Sequence, residues 1–560
     1  MSSTQLKESQ ELFSYDDSDL KSMYEYSKRI LDKSLEQIIS EYDKNCYKSR
    51  DDYLNKKIVN NSSEVKQKFD EKNKGKVGQI IEKCFYGYNL NNKKTADFTD
   101  IPLEIKVTPY VSTKKKSKIE KNCSNNTPEI TLKAKERLSL CMINYKNYKK
   151  VKFEESPLYE KCKNIIILFY KHVSKENILK STINYIGFYD WLNEDLPQII
   201  RDYETISNKI LEGKAHTISE SDTTYLAASV KGQNGNCLTK QRFGVIPAKP
   251  RCWSLKPKYL NYLLNNKFKN LQHERNKKLY GYVSTIPKIT SQFESIAKND
   301  KEKSKPFEDL IVEKFQPHFG KTLDNLLEEF KIRENSKNKA NLLIRKIFNL
   351  KENIELSEEF QKSNMLLRVI RVKPNLLPKE DSPFKVFRFK TLYKEKKWKQ
   401  SQVYTEIYQK RIMFVLFVQD DSQQDKYILK HVFFWGFPEQ LEDGLKRDWE
   451  SVKTILGQND IFRVVKGENG NRIEHKFPKA IECNVIFYKI HSSQSVYELP
   501  NESIYGKKSI YGKGKYINNK SVTNALPNDC RVSNHSFWLS KYFLQKIFKE
   551  YIDKLNDFKK

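Results

Sequence analysis

Lys74-Gly75-Lys76-Val77-Gly78-Gln79-Ile80-Ile81-Glu82, Asp97-Phe98 and Leu103-Glu104-Ile105-Lys106-Val107-Thr108-Pro109 are three pieces of one stretch, and the last of them decides the fold. Leu103, Ile105 and Val107 alternate with Glu104 and Lys106. That is the period of a strand that buries the first set and carries both charged groups on its other face. A carboxylate and an ammonium side by side suit a divalent cation and an attacking water. Asp97 precedes Glu104 by seven residues, room for a short strand, a tight turn and a return, so the two carboxylates are expected to meet across an antiparallel pair. Glu82 ends a helical turn whose Ile80 and Ile81 face inward, and it adds a third acid to the same cleft. Pro109 is expected to end the strand.

With 71 Asp+Glu and 102 Lys+Arg among 560 residues, composition alone supplies an acid, six residues, an acid, one residue and a base about 1 to 2 times. The charges therefore carry little by themselves. The apolar alternation around Glu104 and the two glycines at fixed offsets before Glu82 carry more, because the chain has only 18 glycines.

A chain of this length exceeds one core and is expected to form roughly two to four domains. The formal charge of +31 favours a polyanion, most often nucleic acid, bound through phosphate contacts and counterion release. The bland alternative is that a lysine-rich, AT-biased genome accounts for the same excess. The nine cysteines are scattered, with no Cys-x-x-Cys, which points to reduced thiols in a cytosol and away from zinc. The polar Met1-Ser-Ser-Thr opening and strand-sized apolar runs predict a cytoplasmic protein with no signal peptide or membrane span.

Along the chain, apolar residues from Leu20 to Ile39 recur at helical spacing and predict one or two helices before the opening stretch. After Pro109 comes the basic loop Lys114 to Lys118. Leu132 to Tyr145 reads as a helix end with Lys133, Lys135 and Arg137, running into a strand at Leu138 to Ile143. Asn164 to Tyr170 reads as a buried strand, Trp191 to Leu211 as helical, and Thr223 to Val230 as a strand entering the loop Lys231-Gly-Gln-Asn-Gly235. Trp253 to Leu260 reads as a strand and a short helix. The boundaries expected are 1–265, a lysine-rich linker 266–305 whose least structured part is Ala297 to Lys305, and 306–560.

The second half repeats the first in outline. Asn341 to Arg345 resembles Gly78 to Glu82, Leu366 to Val372 resembles the strand around Glu104, and Phe537 to Tyr542 resembles the Trp253 segment. An offset of 263 carries Glu82 to Arg345, Asp97 to Phe360, Glu104 to Leu367 and Lys106 to Val369. Sliding the strand by one residue either way still brings no acid opposite Glu104. The second copy reads as a fold kept for binding, with a basic and aromatic loop at Ser503 to Tyr516 suited to DNA.

These residues resemble the MutH nicking endonucleases of the PD-(D/E)xK nuclease superfamily. In length and duplication the chain resembles the GATC-cutting type II restriction enzymes of the Sau-three-A-I kind. The resemblance rests on the Lys-Gly-x-x-Gly-x-x-x-Glu helix, Asp97-Phe98, Glu104-x-Lys106, Lys135-Glu-Arg-Leu138 and the Pro250-Arg-x-x-x-Leu-Lys256 segment. It implies an α/β, restriction-endonuclease-like fold, a mixed sheet flanked by helices, duplicated in two lobes of which the second lacks catalytic residues. It implies that Asp97, Glu104 and the Ile105 carbonyl hold Mg2+, that Glu82 supports a second metal position, and that Lys106 orients or deprotonates water. It further implies backbone contact by Lys74, a phosphate partner at Lys133 or Lys135, and reading of GATC by Ser229, Lys231, Arg251 and Ser254. The partner is then double-stranded DNA, two sites per active complex, met by a monomer that pairs on DNA. Ser254 stands where MutH has a methylation-sensing tyrosine, so double-strand cutting is expected rather than methyl-directed nicking. A nickase and a non-catalytic sequence-specific DNA-binding protein are the alternatives.

Overall fold

The computed structural model describes residues 15–45, 76–87, 95–114, 130–173, 175–231, 237–268, 293–333, 339–458, 461–467, 470–491, 496–498, 504–506, 524–527 and 531–559. Lys74, the basic loop beyond Lys114, residues 232–236 and most of the Tyr-Gly-Lys repeat lie outside them. Two compact units divide the chain: Met1–His216, Thr223–Phe307 and Leu356–Ser363 form the first, and Thr217–Asp222, Glu308–Glu355 and Asn364–Lys560 the second. No helix among the described residues is long and apolar enough to cross a membrane. The six described cysteines are all free thiols.

The first unit runs α1 (Leu20–Ser27), α2 (Leu35–Asn45), α3 (Lys76–Ile80, extended by a π-type turn Ile81–Phe85), β1 (Leu103–Lys114), β2 (Ile130–Ala134), β3 (Leu138–Met142), α4 (Pro157–Cys162), β4 (Asn164–Lys171), β5 (Ile183–Tyr189), α5 (Leu196–Leu211), β6 (Leu226–Val230), β7 (Arg251–Leu255) and α6 (Pro257–Tyr262). Its main sheet has the order β2-β1-β4-β5, with β1 and β4 parallel and the other pairs antiparallel. A second sheet has the order β3-β7-β6. In β4, Ile165 to Phe169 are all fully buried, as a strand covered on both faces requires. Leu103, Ile105, Ile166 and Leu168 share one core with Met23, Ile30, Leu35, Ile38, Ile80 and Ile81 from the helices.

Three expectations fail here. Pro109 lies inside β1 rather than ending it. Its carbonyl accepts the Lys135 N–H at 2.9 Å, so its nitrogen faces the same edge, where the β2 ladder stops, and the ladder to β4 loses no donor. Residues 130–134 form a strand rather than a helix end, because Leu132 and Ala134 are buried around exposed Lys133. Ala297 to Lys305 is ordered enough to hold the turn Asp300–Lys303, capped by the Asn299 side chain.

The second unit holds α7 (Phe307–Phe315), α8 (Leu323–Glu329), α9 (Lys339–Ile347), β8 (Met365–Val372), β9 (Ser382–Phe387), β10 (Arg411–Gln419), β11 (Tyr427–Gly436), α10 (Glu442–Leu456), β12 (Ile486–Ile490), β13 (His535–Leu539) and α11 (Lys541–Lys559), with shorter strands between Phe462 and Val532. β8 and β10 are parallel, and β10 and β11 antiparallel, repeating β1, β4 and β5. The sheet β12-β13-β9 repeats β6-β7-β3. The most specific sign of duplication is a buried aspartate. Asp202 of α5 accepts the N–H groups of Thr224 (2.8 Å), Tyr225 (2.6 Å) and Leu226 (2.9 Å) at the start of β6. Asp448 of α10 accepts those of Asn484 (2.8 Å), Val485 (2.8 Å) and Ile486 (3.0 Å) at the start of β12.

Strand pairing also corrects the register by one residue. β4 starts at Asn164 opposite Leu103, and β10 at Arg411 opposite Met365, so Leu366 stands at the place of Glu104 and Arg368 at that of Lys106. The basic position is therefore kept rather than lost. Arg368 ties β8 to β9, with Nε on Ser382 Oγ (3.1 Å) and Nη2 on the Pro383 carbonyl (2.8 Å).

His535 of β13 occupies the register position of Arg251 in β7, since Ile490 and Val230 are their partners. Its Nδ1–H donates to the Ser533 carbonyl at 2.7 Å, its ring stacks on Tyr488 at 4.7 Å, and Nε2 is buried without a hydrogen-bond partner. Burial pushes this imidazole down to about 3 from 6.5.

Two outcomes follow from this packing. Asp202→Ala strands three buried donors and Asp448→Ala two, with the exposed Asn484 as a third partner, and each should cost on the order of 2 to 3 kcal/mol or more of stability, read as a lowered urea midpoint; unchanged midpoints would show the N–H groups to be satisfied otherwise. The unfolded chain protonates His535 near 6.5 and the folded one only near 3, so its contribution is present above 6.5 and is lost on acidification. The loss amounts to up to about 1.4 kcal/mol per pH unit. Urea midpoints at pH 7 and 5 should converge in His535→Leu.

Candidate active site

β1 pairs with β4 from Leu103 to Tyr110, but with β2 only from Tyr110 onward, which leaves its other edge to be closed by the preceding chain. Phe98 and Leu103 exchange two backbone hydrogen bonds of 3.0 Å there. Asp97 Oδ2 accepts the Ile105 N–H at 2.8 Å, and the Asp97 N–H donates to Glu104 Oε2 at 3.2 Å. Asp97 and Glu104 thus meet across a single antiparallel bridge. Within a strand, N–H and C=O of one residue point to the same side, so the Ile105 carbonyl faces the edge that Asp97 occupies.

Glu104 is only 2% exposed. Its Oε1 is ion-paired with Lys106 Nζ and lies 3.5 Å from Lys161 Nζ. Burial holds the Glu104 carboxyl above its ordinary range, against the pull of Lys106, with Asp97 adding to the rise. Burial also raises Glu82, and Asp97 raises it further, which puts all three acids in one field. For Lys106, burial acts to lower the pKa, and the Glu104 carboxylate outweighs it, so the ammonium stays protonated.

Lys161 was not among the expected residues. It sits in α4, which Pro157 opens and Ser156 caps by accepting the Tyr159 N–H at 3.2 Å. Because β4 begins opposite Leu103, the end of α4 is delivered beside Glu104. The signal was present in the sequence as a Ser-Pro helix start running directly into an apolar strand, which in parallel with β1 brings position 161 to position 104. Gly78 faces Glu82 across one helical turn, but an added methyl would sit 3.7 Å from Glu82 Oε1, so sterics do not demand glycine there.

The remaining expected residues separate into exposed and buried sets. Lys133 and Lys135 are exposed. Lys133 pairs with Val111 and so lies on the face opposite Glu104 and Lys106, and Lys135 reaches His172. Ser229, Arg251 and Ser254 are buried in the β3-β7-β6 sheet. Ser229 Oγ lies 3.4 Å from Cys252 Sγ, Arg251 Nη1 donates to the Ala228 carbonyl at 2.7 Å, and Ser254 Oγ to that of Ala227 at 3.3 Å. These three are thus held inside the sheet by their neighbours rather than displayed on its surface. Lys231 of the same hairpin is exposed.

Among the described residues no three Asp, Glu, His or Cys side chains form a ready metal cage. Mg2+ does not require one, because it keeps several waters and binds through one or two carboxylates plus substrate phosphates. Asp97 and Glu104 supply two hard oxygen donors, and burial, with the Asp97 charge adding to it, raises the carboxyls of Glu82 and Glu104, a cost to their ionised forms that a divalent cation would relieve. The residues present fit such an ion.

Residues 86–202, which include Asp97, Glu104, Lys106 and Lys161, match the family model described as DNA mismatch repair enzyme MutH. Over 507 residues the chain is 28% identical to the type II restriction enzyme Sau3AI of Staphylococcus aureus, an alignment covering 87% of this chain and 94% of that enzyme.

If Asp97 and Glu104 hold a divalent cation, millimolar Mg2+ or Mn2+ should raise the unfolding temperature of the free protein by mass action. Asp97→Asn should blunt that rise. An equal rise in the variant would remove Asp97 from the ligand set.

Proposed function

We propose that this chain, a restriction endonuclease of the MutH/Sau3AI type, hydrolyses double-stranded DNA at GATC sites with Mg2+, cutting in its first lobe and binding a second site in the other. The observation that carries this reading is the meeting of Asp97, Glu104, Lys106 and Lys161 at the strand edge that Asp97 closes. Asp97, Glu104 and the Ile105 carbonyl would hold the ion, which when bound supplies Lewis-acid polarisation of the scissile phosphate. Lys106, kept protonated by Glu104, orients the attacking water and offers positive charge to the phosphorane-like transition state, so the electrostatic role fits it better than that of general base. Lys161 adds a second ammonium on the same side, and Glu82 supports a second cation position.

The second lobe supports a binding role, because Leu366 replaces Glu104 and the basic partner has become the strut Arg368. Effector DNA there would favour cleavage only by binding one lobe arrangement better than another. The excess of +31 suits a protein that engages two duplexes from a cytoplasmic compartment.

Glu104→Ala and Lys106→Ala should abolish cleavage while DNA binding persists, and Lys161→Ala should slow it about 100-fold, the usual range for losing one preorganised charge donor. Plasmids with zero, one and two GATC sites separate the finer points. Equal cutting of the zero-site plasmid would end the GATC assignment, independence from site number would end the two-site coupling, and nicked circles as final product would favour a nickase.

A further inference from the structure

The loop between β6 and β7 displays apolar side chains in a way that folding alone does not explain. Leu238, Phe243, Val245 and Ile246 are exposed, Val245 to 99%, in a protein whose described aliphatic residues are otherwise mostly interior. The loop is nevertheless pinned. Thr239 and Ala248 exchange backbone hydrogen bonds of 2.8 and 2.9 Å across its stem. The buried Gln241 amide accepts the Ala215 N–H at 2.9 Å and donates to the Ile246 carbonyl. Arg242 N–H donates to the Tyr145 carbonyl at 3.1 Å. Gly244 packs backbone to backbone on Gly213, so that a Cβ there would lie 2.4 Å from the Gly213 carbonyl. The Arg242 guanidinium adds a bond to the Tyr148 carbonyl at 3.3 Å and lies over the Phe243 ring, and the apolar tip is left facing solvent.

Charge decides what such a tip meets. From Lys231 to Lys249 the hairpin carries Lys231, Lys240, Arg242 and Lys249 and no Asp or Glu. A second copy of the same surface would be repelled, whereas a polyanion is drawn in. The base of the hairpin also adjoins the cutting site. Met142 of β3 pairs with Cys252 of β7, and the neighbouring Cys141 lies within the fields of Cys252, Lys161, Lys106 and Glu104. A duplex seated on that edge therefore reaches the hairpin.

We propose that this tip is a DNA wedge: its basic residues hold phosphates while Phe243, Val245 and Ile246 insert at a base step and kink the duplex. Apolar wedges of Phe, Leu or Ile flanked by basic residues unstack and bend DNA in this way, the unstacking being offset by the contact that the bend permits. The proposal rests on the nuclease reading above.

The test uses full-length protein carrying Glu104→Ala, which binds DNA in Mg2+ without cutting, and a GATC duplex with 2-aminopurine placed in turn at positions in and beside the site. Fluorescence should rise at one step, and the additional substitutions Phe243→Ser, Val245→Ser and Ile246→Ser together should abolish the rise while the salt dependence of binding stays the same. With Glu104 intact, the same three changes should slow cleavage at least tenfold. Val245→Ser alone, at a fully exposed position, should reduce both readouts if the triple variant fails to fold. A wild-type enzyme that cleaves, combined with no fluorescence change or with a serine variant that unstacks and cleaves normally, overturns the wedge alone. A wild-type enzyme that does not cleave DNA with Mg2+ overturns the nuclease reading instead.

Discussion

Two hydrogen bonds cross between Asp97 and the strand beside it, one from the Ile105 N–H to the Asp97 carboxylate and one from the Asp97 N–H to the Glu104 carboxylate. They satisfy an edge that β2 does not reach, and in doing so they set two acids side by side. An unpaired strand edge is normally a liability. Here closing it with a carboxylate instead of another strand is what sets Asp97 against Glu104, with Lys106 and Lys161 beside them. The helices α1 to α3 and the apolar face of β1 matter to function because they hold that edge still.

The parts of this arrangement written in local alternation were legible in the sequence. Leu103, Ile105 and Val107 announced β1, and the run from Ile165 to Phe169 announced its parallel neighbour. The failures share a physical cause, which is that burial and pairing are set by residues far along the chain. The start of Leu132 to Tyr145 looked like a helix end because Lys133, Lys135 and Arg137 dominate it, although the buried Leu132 and Ala134 keep the period of a strand. Ser229, Arg251 and Ser254 were singled out by the MutH resemblance alone, which says nothing of burial; in the structure all three are buried, and backbone carbonyls take hydrogen bonds from Arg251 and Ser254. Lys161 was missed because its distance from Glu104 in sequence is large, and only the parallel pairing brings the two together.

Duplication gives a comparison within one chain. Both lobes keep an aspartate that gathers the first N–H groups of a strand, since without it at least two donors would be buried unpaired. What differs is the charged pair on the first strand. In one copy Lys106 faces a buried carboxylate; in the other Arg368 turns its guanidinium to a serine and a carbonyl of β9. With Leu366 in place of the acid, the base has become a structural tie. The fold signals tolerated this change because neither residue shapes the backbone around it.

The helix Glu358–Lys362 comes from the second half of the chain yet is part of the first unit, where Lys362 is buried against Asp195 (2.7 Å) and Glu358 (2.8 Å). The residues Thr217–Asp222 make the reverse journey, and Arg411 of the second unit donates to the carbonyls of Ser221 and Asp222. A chain cut after residue 265 would keep Asp195 in its interior but lose the lysine that neutralises it, a change that typically costs about 3 to 5 kcal/mol. Each copy has therefore become heir to a few residues of the other. Once that trade was made, descent could no longer discard one lobe and keep the other, so the pair is inherited whole.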